Sequence, residues 1–375
     1  MRHGSIARDD RCAGRAADTG LLLAGLTLLG GCMSLPAERT ASCDSVSPRP
    51  ITYTADGSTA HTQLDVLTYN IEGLPWPARR NRTPFLDEIG RRLAAFRAEG
   101  KAPDIIVFQE VFTNAAARAI VATGYPSIAS GPHRDSRQAH AVEGDLPGRR
   151  RILRGEIRPN LKSSGLVIAT DFPILLSNYA PYARGSCAGF DCLSNKGMLF
   201  AQIAIPGVPG TIDIFNTHMQ SRRSSGVEPD RFHAAHARQT AELSAFARAN
   251  GDLTAPTIIA GDFNMRNNVE TRQYVFARKI PMESVHRYCQ LKSDECDVLE
   301  DWSYEDQWRR VQNKHMFLSG DIVKIRPIRA EAMFDGGPSG PVLSDHYGFR
   351  VTYDLSWPAK GDVPPPVCPI GPRAV

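Results

Sequence analysis

The sequence predicts a layered α/β fold, and three observations carry that expectation. Strand and helix patterns alternate from residue 64 onward, which favours helices stacked on sheets. Several strand-length runs are apolar without interruption, as in strands buried on both faces. The 375 residues are 42% hydrophobic and 22% charged, an ordinary globular composition, and suffice for one large core or two small ones. The formal net charge is +4, and four arginines and three aspartates in residues 1–31 leave the remainder near +3. That bias is too weak to imply a nucleic-acid partner.

Residues 1–31 read as a targeting segment. Arg2, Arg8, Arg11 and Arg15 precede the apolar run Leu21–Leu29, and Leu29-Gly30-Gly31-Cys32 follows. Small residues before a cysteine fit a bacterial lipoprotein signal, and the run is too short to span a bilayer. Acylated Cys32 would anchor the chain to a membrane surface, and Met33 after it points to the outer membrane of a bacterial envelope. An ordinary signal peptide and a secreted product are the alternative. Export makes Cys43, Cys187, Cys192, Cys289, Cys296 and Cys368 a disulfide set, with 187–192, 289–296 and 43–368 as the pairings that spacing favours.

Residues 32–60 are rich in Ser, Thr and Pro and read as a tether. Leu64–Ile71 reads as a strand ending at Asn70. Thr83-Pro84 starts a helix with Phe85, Ile89, Leu93 and Phe96 on one face. Asp104–Phe108 is a buried strand that delivers Gln109-Glu110, and a second helix runs from Asn114 to Thr123. Between Ser127 and Lys162 the pattern dissolves into Gly, Pro and basic residues, including Arg149-Arg150-Arg151 and Arg154. This is either a solvated insertion or a cationic lip for anionic headgroups or substrate phosphate.

Ser164–Thr170 resumes the strands. Met198–Ile205 and Thr211–His218 form a hairpin, Asp230 opens a helix to Asn250, and Thr257–Ala260 leads into Gly261-Asp262-Phe263-Asn264. A short helix is expected from Glu270 to Arg278, and strands at His315–Leu318 and Phe349–Leu355. Trp302, Tyr304 and Trp308 read as buried packing or an interfacial aromatic group. Residues 358–375 form a proline-rich tail.

Polar residues stand at the ends of these strands: Asn70, Glu110, His218, Asp262 with Asn264, and Asp345 with His346. Each alone suits a turn, a cap or a core histidine. Together they suit phosphodiester hydrolysis. Glu110, Asn70 and Asp345 offer hard oxygen ligands for Mg²⁺, with Mn²⁺ or Ca²⁺ as alternatives. His346 would take a proton from the attacking water and Asp262 would position it. Asn264 and His218 would donate to phosphate oxygens.

The ordered motifs Leu67-Thr-Tyr-Asn70-Ile, Phe108-Gln-Glu110-Val, Asn195-Lys196-Gly197, Asn216-Thr-His218-Met-Gln220, Gly261-Asp262-Phe-Asn264 and Ser344-Asp345-His346 resemble the endonuclease/exonuclease/phosphatase superfamily, which includes deoxyribonuclease I. Within it the chain is most similar to the neutral Mg²⁺-dependent sphingomyelinases, through Thr217-His218-Met219-Gln220 and through Asp191 with Lys196, a pair that lies beside the site in that branch. The resemblance implies a four-layer α/β sandwich over residues 61–357, two packed mixed sheets flanked by helices. It also implies Asn70 and Glu110 at the metal, Asp262, Asn264 and His218 around the phosphate, and Lys196 with Asp191 contacting substrate. One position departs from the family: Lys314 stands where an aspartate usually orients the catalytic histidine, which leaves Asp321 as a candidate substitute.

The expected function is an exported Mg²⁺-dependent phosphodiesterase. Its expected partner is a phospholipid membrane surface, with sphingomyelin cleaved in phospholipase C fashion, and no protein partner is implied. The alternatives are an extracytoplasmic DNase I-like nuclease, the only case that brings in nucleic acid, and a surface module with a weakened phosphate site.

Overall fold

The computed structural model describes residues 35–137, 142, 144–156, 160–265, 282–299 and 313–370. The chain divides into two compact units, Met1–Cys32 and Met33–Val375, and every described residue belongs to the second.

In chain order the elements are β1 (Thr52–Tyr53), β2 (Thr59–Asn70), α1 (Thr83–Ala98), β3 (Ile105–Gln109), α2 (Asn114–Ala122), β4 (Ser127–Ser130), β5 (Val167–Thr170) and β6 (Ile174–Pro181). There follow β7 (Gly197–Ile203), β8 (Ile212–His218), α3 (Pro229–Asn250), β9 (Thr257–Asp262), β10 (Glu283–Ser284) and α4 (Val285–Leu291). The last are β11 (Asp297–Leu299), β12 (Asn313–Leu318), β13 (Lys324–Met333) and β14 (Gly348–Pro358). One sheet runs β11-β13-β14-β2-β3-β5-β4, with β1 added against β2. The other runs β10-β12-β9-β8-β7-β6. Both are mixed, since β2–β3 and β8–β9 are parallel and most other pairs antiparallel.

Alternation along the strands explains the layers, because successive side chains point to opposite faces. Leu64 and Val66 of β2 join Ile214 of β8 and Ile258 of β9 in a core between the sheets. Leu67 and Tyr69, one step out of phase, meet Leu86, Ile89 and Leu93 of α1 on the other face. Phe200, Phe215 and Ile259 face Leu243 and Phe246 of α3. The result is the expected four-layer sandwich. All three expected disulfides are present.

Three expectations on organisation change. The stretch read as a tether is laid on the domain from Leu35 onward: Arg39 bridges to Ile128 of β4, and Cys43 is bonded to Cys368. The apolar face of α1 is centred on Leu86, not Phe85, which is exposed beneath the Arg82 guanidinium. Strands β4, β6 and β13 were not evident in the pattern. The short helix expected near residues 270–278 lies outside the described residues, as do Trp302, Tyr304, Trp308 and Cys32.

Candidate active site

Both sheets end at one edge, and there the strand-end polar residues meet. Asn70 closes β2, and Glu110 follows β3. His218 and Asp262 end β8 and β9 as register partners, Lys196 precedes β7, and His346 precedes β14. The buried Asn70 amide nitrogen donates to Glu110 Oε1 and to Asp262 Oδ2, at 3.1 Å each. Because β2 and β9 belong to different sheets, this one amide ties the two together. One step deeper, Gln109 Nε2 donates to Asn216 Oδ1 at 2.9 Å, and Asn216 Nδ2 donates to the Phe108 and Val167 carbonyls, also at 2.9 Å. A fully satisfied buried network of this kind fixes one alignment of the layers.

The backbone around these groups is held in unusual conformations. Glu72, Glu110 and Asn264 have φ of 51°, 62° and 52°, left-handed values that cost a non-glycine residue about 1–3 kcal/mol and persist only where surroundings enforce them. Gly261 has φ of 151°, and a Cβ there would lie 2.1 Å from the Thr217 carbonyl oxygen. Only glycine lets β9 approach β8 closely enough to place Asp262 beside His218.

Electrostatics divide the acids. Burial dominates at Glu110 and pushes its carboxyl up to about 7, although the Asn70 amide pulls the other way. Burial also opposes ionisation of Asp262, but His346, His218, the Asn264 N–H and Lys196 outweigh it and hold the carboxyl low. His218 is driven far below the usual imidazole range, first by burial and then by Lys196. Its ring is therefore neutral. The Lys196 ammonium can only donate, so His218 Nε2, 3.1 Å away, accepts. The same ammonium donates to the Met219 carbonyl at 2.9 Å and sits 3.2 Å from Asp191 Oδ1. Asp191 in turn accepts from the Ser221 backbone N–H.

His346 Nε2 lies 3.8 Å from Asp262 Oδ2 and 3.7 Å from Asp345 Oδ1. The Ser344 hydroxyl donates to the Asn70 carbonyl at 2.7 Å, which seats the His346 segment on β2. Asp345 stands at the rim, with its side chain 44% exposed, and pairs with Arg79 at 3.0 Å. It is thus brought to His346 rather than into hydrogen-bonding contact with Glu110 or Asn70. Asn264 uses one amide proton on the Met219 carbonyl, and its backbone N–H donates to Asp262 Oδ1, both at 2.9 Å.

The support behind His346 differs from the expectation. Lys314 is fully buried and lies opposite Gly261, with its amine 3.4 Å from His286 Nε2. Asn313 lies opposite Asp262, and its amide donates to the Tyr347 carbonyl at 2.9 Å. Asp321 follows the far end of β12, where Leu318 pairs with Thr257, and its N–H bonds to Thr254. It is therefore too distant to orient His346.

Sequence reasoning also missed Glu72 and Arg79. Glu72 pairs with Arg79 and with Arg82 (3.2 Å) and accepts from the Asp345 N–H at 3.1 Å. Both follow β2 in an irregular loop, where no periodicity marks them. A cavity of about 900 Å³ opens beside Lys196 and Asn195, and Arg137, Arg150, Arg184 and Tyr182 are among its lining residues.

Among the described residues no group of three or more His, Cys, Asp or Glu forms a ready-made metal cage. The residues present nevertheless fit a hard divalent cation. Glu110 Oε2 is buried and has no hydrogen-bond partner among the described residues, a costly state for a carboxylate that a cation would relieve. Mg²⁺ keeps several waters and needs only one or two carboxylates, so Glu110 is the principal protein ligand; the Asn70 side-chain oxygen accepts from the Glu72 N–H at 3.0 Å and has one further lone pair to offer.

The sequence model of the endonuclease/exonuclease/phosphatase family matches residues 67–294. No curated protein sequence matches the chain. Among solved structures, sphingomyelinase C from Streptomyces griseocarneus is 19% identical, with a TM-score of 0.54 over 77% of this chain and 99% of that one. Beta toxin from Staphylococcus aureus, in a form with bound magnesium ions, is 16% identical, with a TM-score of 0.53 over the same shares. At such identities the likeness establishes the fold.

Proposed function

The chain belongs to the endonuclease/exonuclease/phosphatase family, and from that premise we propose an exported, metal-dependent phosphodiesterase that cleaves phospholipid, sphingomyelin in particular, in phospholipase C fashion. The observation that carries this reading is the convergence of Glu110, Asp262 and Asn70 within hydrogen-bonding distance, with His346 beside them. The likeness to sphingomyelinase C supports the lipid, and the three disulfides support an oxidising compartment.

Glu110 and Asn70 would hold the cation, and Asp345 would join them by releasing Arg79. A bound divalent cation supplies charge neutralisation at the phosphoryl and leaving oxygens. His346 takes the proton of the attacking water at Nε2, and the ionised Asp262 carboxylate positions that water. Since His218 Nε2 already accepts from Lys196, and the ammonium protons are turned to His218, Met219 and Asp191, Lys196 contributes positive charge beside the phosphate while the second amide proton of Asn264 donates to a phosphate oxygen. The water oxygen bonds to phosphorus as the bond to the lipid alcohol oxygen breaks, and the leaving alkoxide takes up a proton from solvent. Phosphocholine and ceramide are the products.

One observation favours a second reading, a nuclease: the cavity beside Lys196 carries Arg137, Arg150 and Arg184, cations suited to a polyanion. Sphingomyelin liposomes and plasmid DNA, each with and without EDTA and with His346→Ala as control, separate the two. Phosphocholine release that stops with EDTA is expected. Cleavage of DNA alone would refute the lipid reading, and full activity in His346→Ala would refute the mechanism.

A further inference from the structure

The basic stretch after β4 carries aliphatic side chains that no core absorbs. Leu153 is 97% exposed and Ile152 57%, although they lie within a run of arginines at 149, 150, 151 and 154, all exposed. The turn Ile152–Arg154 packs on the turn Gly189–Leu193, where Phe190 is 47% exposed. The contact is close: a Cβ on Gly155 would lie 3.0 Å from Phe190 Cα and 2.9 Å from Leu193 Cγ. Leu161, 52% exposed, is bonded to the same turn through its N–H and the Leu193 carbonyl at 2.8 Å. Four exposed apolar side chains on three adjoining segments therefore stand beside a run of exposed arginines. Nearby acids do not cancel that charge. Glu156 is taken by Arg231, Asp191 by Lys196, and among the described residues only Glu228, 3.5 Å from Arg151, forms an ion pair with an arginine of the run.

We propose that Ile152, Leu153, Leu161 and Phe190, with the surrounding arginines, form a docking surface for an anionic lipid bilayer. Exposed aliphatic groups between arginines suit an interface where hydrocarbon lies beneath anionic headgroups. A nucleic acid would use the cations but has little use for aliphatic prongs, since single strands are gripped by aromatic stacking. The surface is also joined to the chemistry. The turn under Phe190 contains Asp191, closed by the Cys187–Cys192 bond, and Asp191 pairs with the Lys196 that touches His218. A bilayer seated there brings headgroups to the mouth of the site.

The inference rests on the lipid reading above, and a binding assay without turnover separates the two. Residues 33–375, the compact unit that follows Cys32, are sedimented in EDTA with vesicles of phosphatidylglycerol and phosphatidylcholine, or of phosphatidylcholine alone. Binding to the anionic vesicles is expected, weakened about tenfold or more by Leu153→Asp and by the Arg149→Glu/Arg151→Glu pair. Leu153→Asp should leave hydrolysis of soluble bis(p-nitrophenyl) phosphate unchanged. Equal binding by Leu153→Asp and wild type, or no preference for anionic vesicles, overturns the proposal. So does binding to duplex DNA without binding to vesicles. Vesicle binding without hydrolysis of any lipid would sink the lipid substrate and leave the docking surface standing.

Discussion

Asn313 stands directly opposite Asp262 in the β9–β12 ladder and donates to the carbonyl of Tyr347, the residue after His346. It thereby couples the strand that carries the acid to the segment that carries the base. An amide here cannot act as a charged partner to imidazole, but it can hold the position of the histidine. Loss of such a buried hydrogen bond costs about 1–3 kcal/mol. Asn313→Ala should therefore lower kcat by roughly 10–100-fold, as about 1.4 kcal/mol is tenfold, while Mg²⁺ affinity by calorimetry stays put. Unchanged kcat would show that His346 is held by other means.

Lys314, its neighbour, makes a stability prediction. Burial lowers its amine from 10.5 to about 7, and Asp262 only partly offsets this. The unfolded chain then binds more protons than the folded one between pH 7 and 10.5, so this group makes stability rise with pH across that window. Below pH 7 both states hold the proton and the penalty is constant. Lys314→Met removes it and should stabilise the domain by about 4–5 kcal/mol near pH 7, given about 1.4 kcal/mol for each pKa unit. The gain should vanish towards pH 10.5. Thermal melts from pH 6 to 10 read this directly, and a gain independent of pH would assign it to packing.

How much of this was legible follows from where each signal resides. Asn70, Glu110, His218 and Asp262 were found because each ends an apolar run, and the sandwich brings those ends to one edge. Strand β13 escaped because Lys324, Arg326, Arg329 and Glu331 break its apolar pattern and Pro327 lies at a register shift, where a sheet tolerates proline. Strand β6 escaped because it is an edge strand with five consecutive exposed residues. The segment before residue 60 carries no periodicity. It is held by a bond to Cys368, which the compartment argument and the cysteine spacing anticipated. Glu72 and Arg79 bear on the site through charge pairing across a loop, which leaves no pattern along the chain.

Glu110 makes the cation testable without turnover. Its Oε2 has no hydrogen-bond partner among the described residues, so a divalent ion that binds only the folded state should stabilise that state, by about 2.7 kcal/mol at one hundred times Kd. Mg²⁺ should raise the Tm of the wild type, and Glu110→Gln should lose most of that rise. Asp345→Asn should lose less, since Asp345 is exposed and already paired with Arg79. Equal Mg²⁺ shifts in Glu110→Gln and wild type would remove Glu110 from the metal site.

The disulfides should separate stability from activity. Cys43–Cys368 closes a loop of 325 residues and Cys187–Cys192 one of 5, so chain entropy assigns roughly 6 kcal/mol to the first and about 2 kcal/mol to the second. The short loop nevertheless contains Asp191, whose carboxylate holds Lys196 against His218. Replacing Cys187 and Cys192 with serine should therefore lower Tm only modestly while it reduces kcat by about tenfold or more. Replacing Cys43 and Cys368 should do the reverse, with a large loss of Tm and near-normal kcat at temperatures where the domain stays folded. Paired melting curves and kinetics on the two variants give the comparison. If both variants lost stability and activity in the same proportion, the Asp191 loop would be a staple of the fold and nothing more.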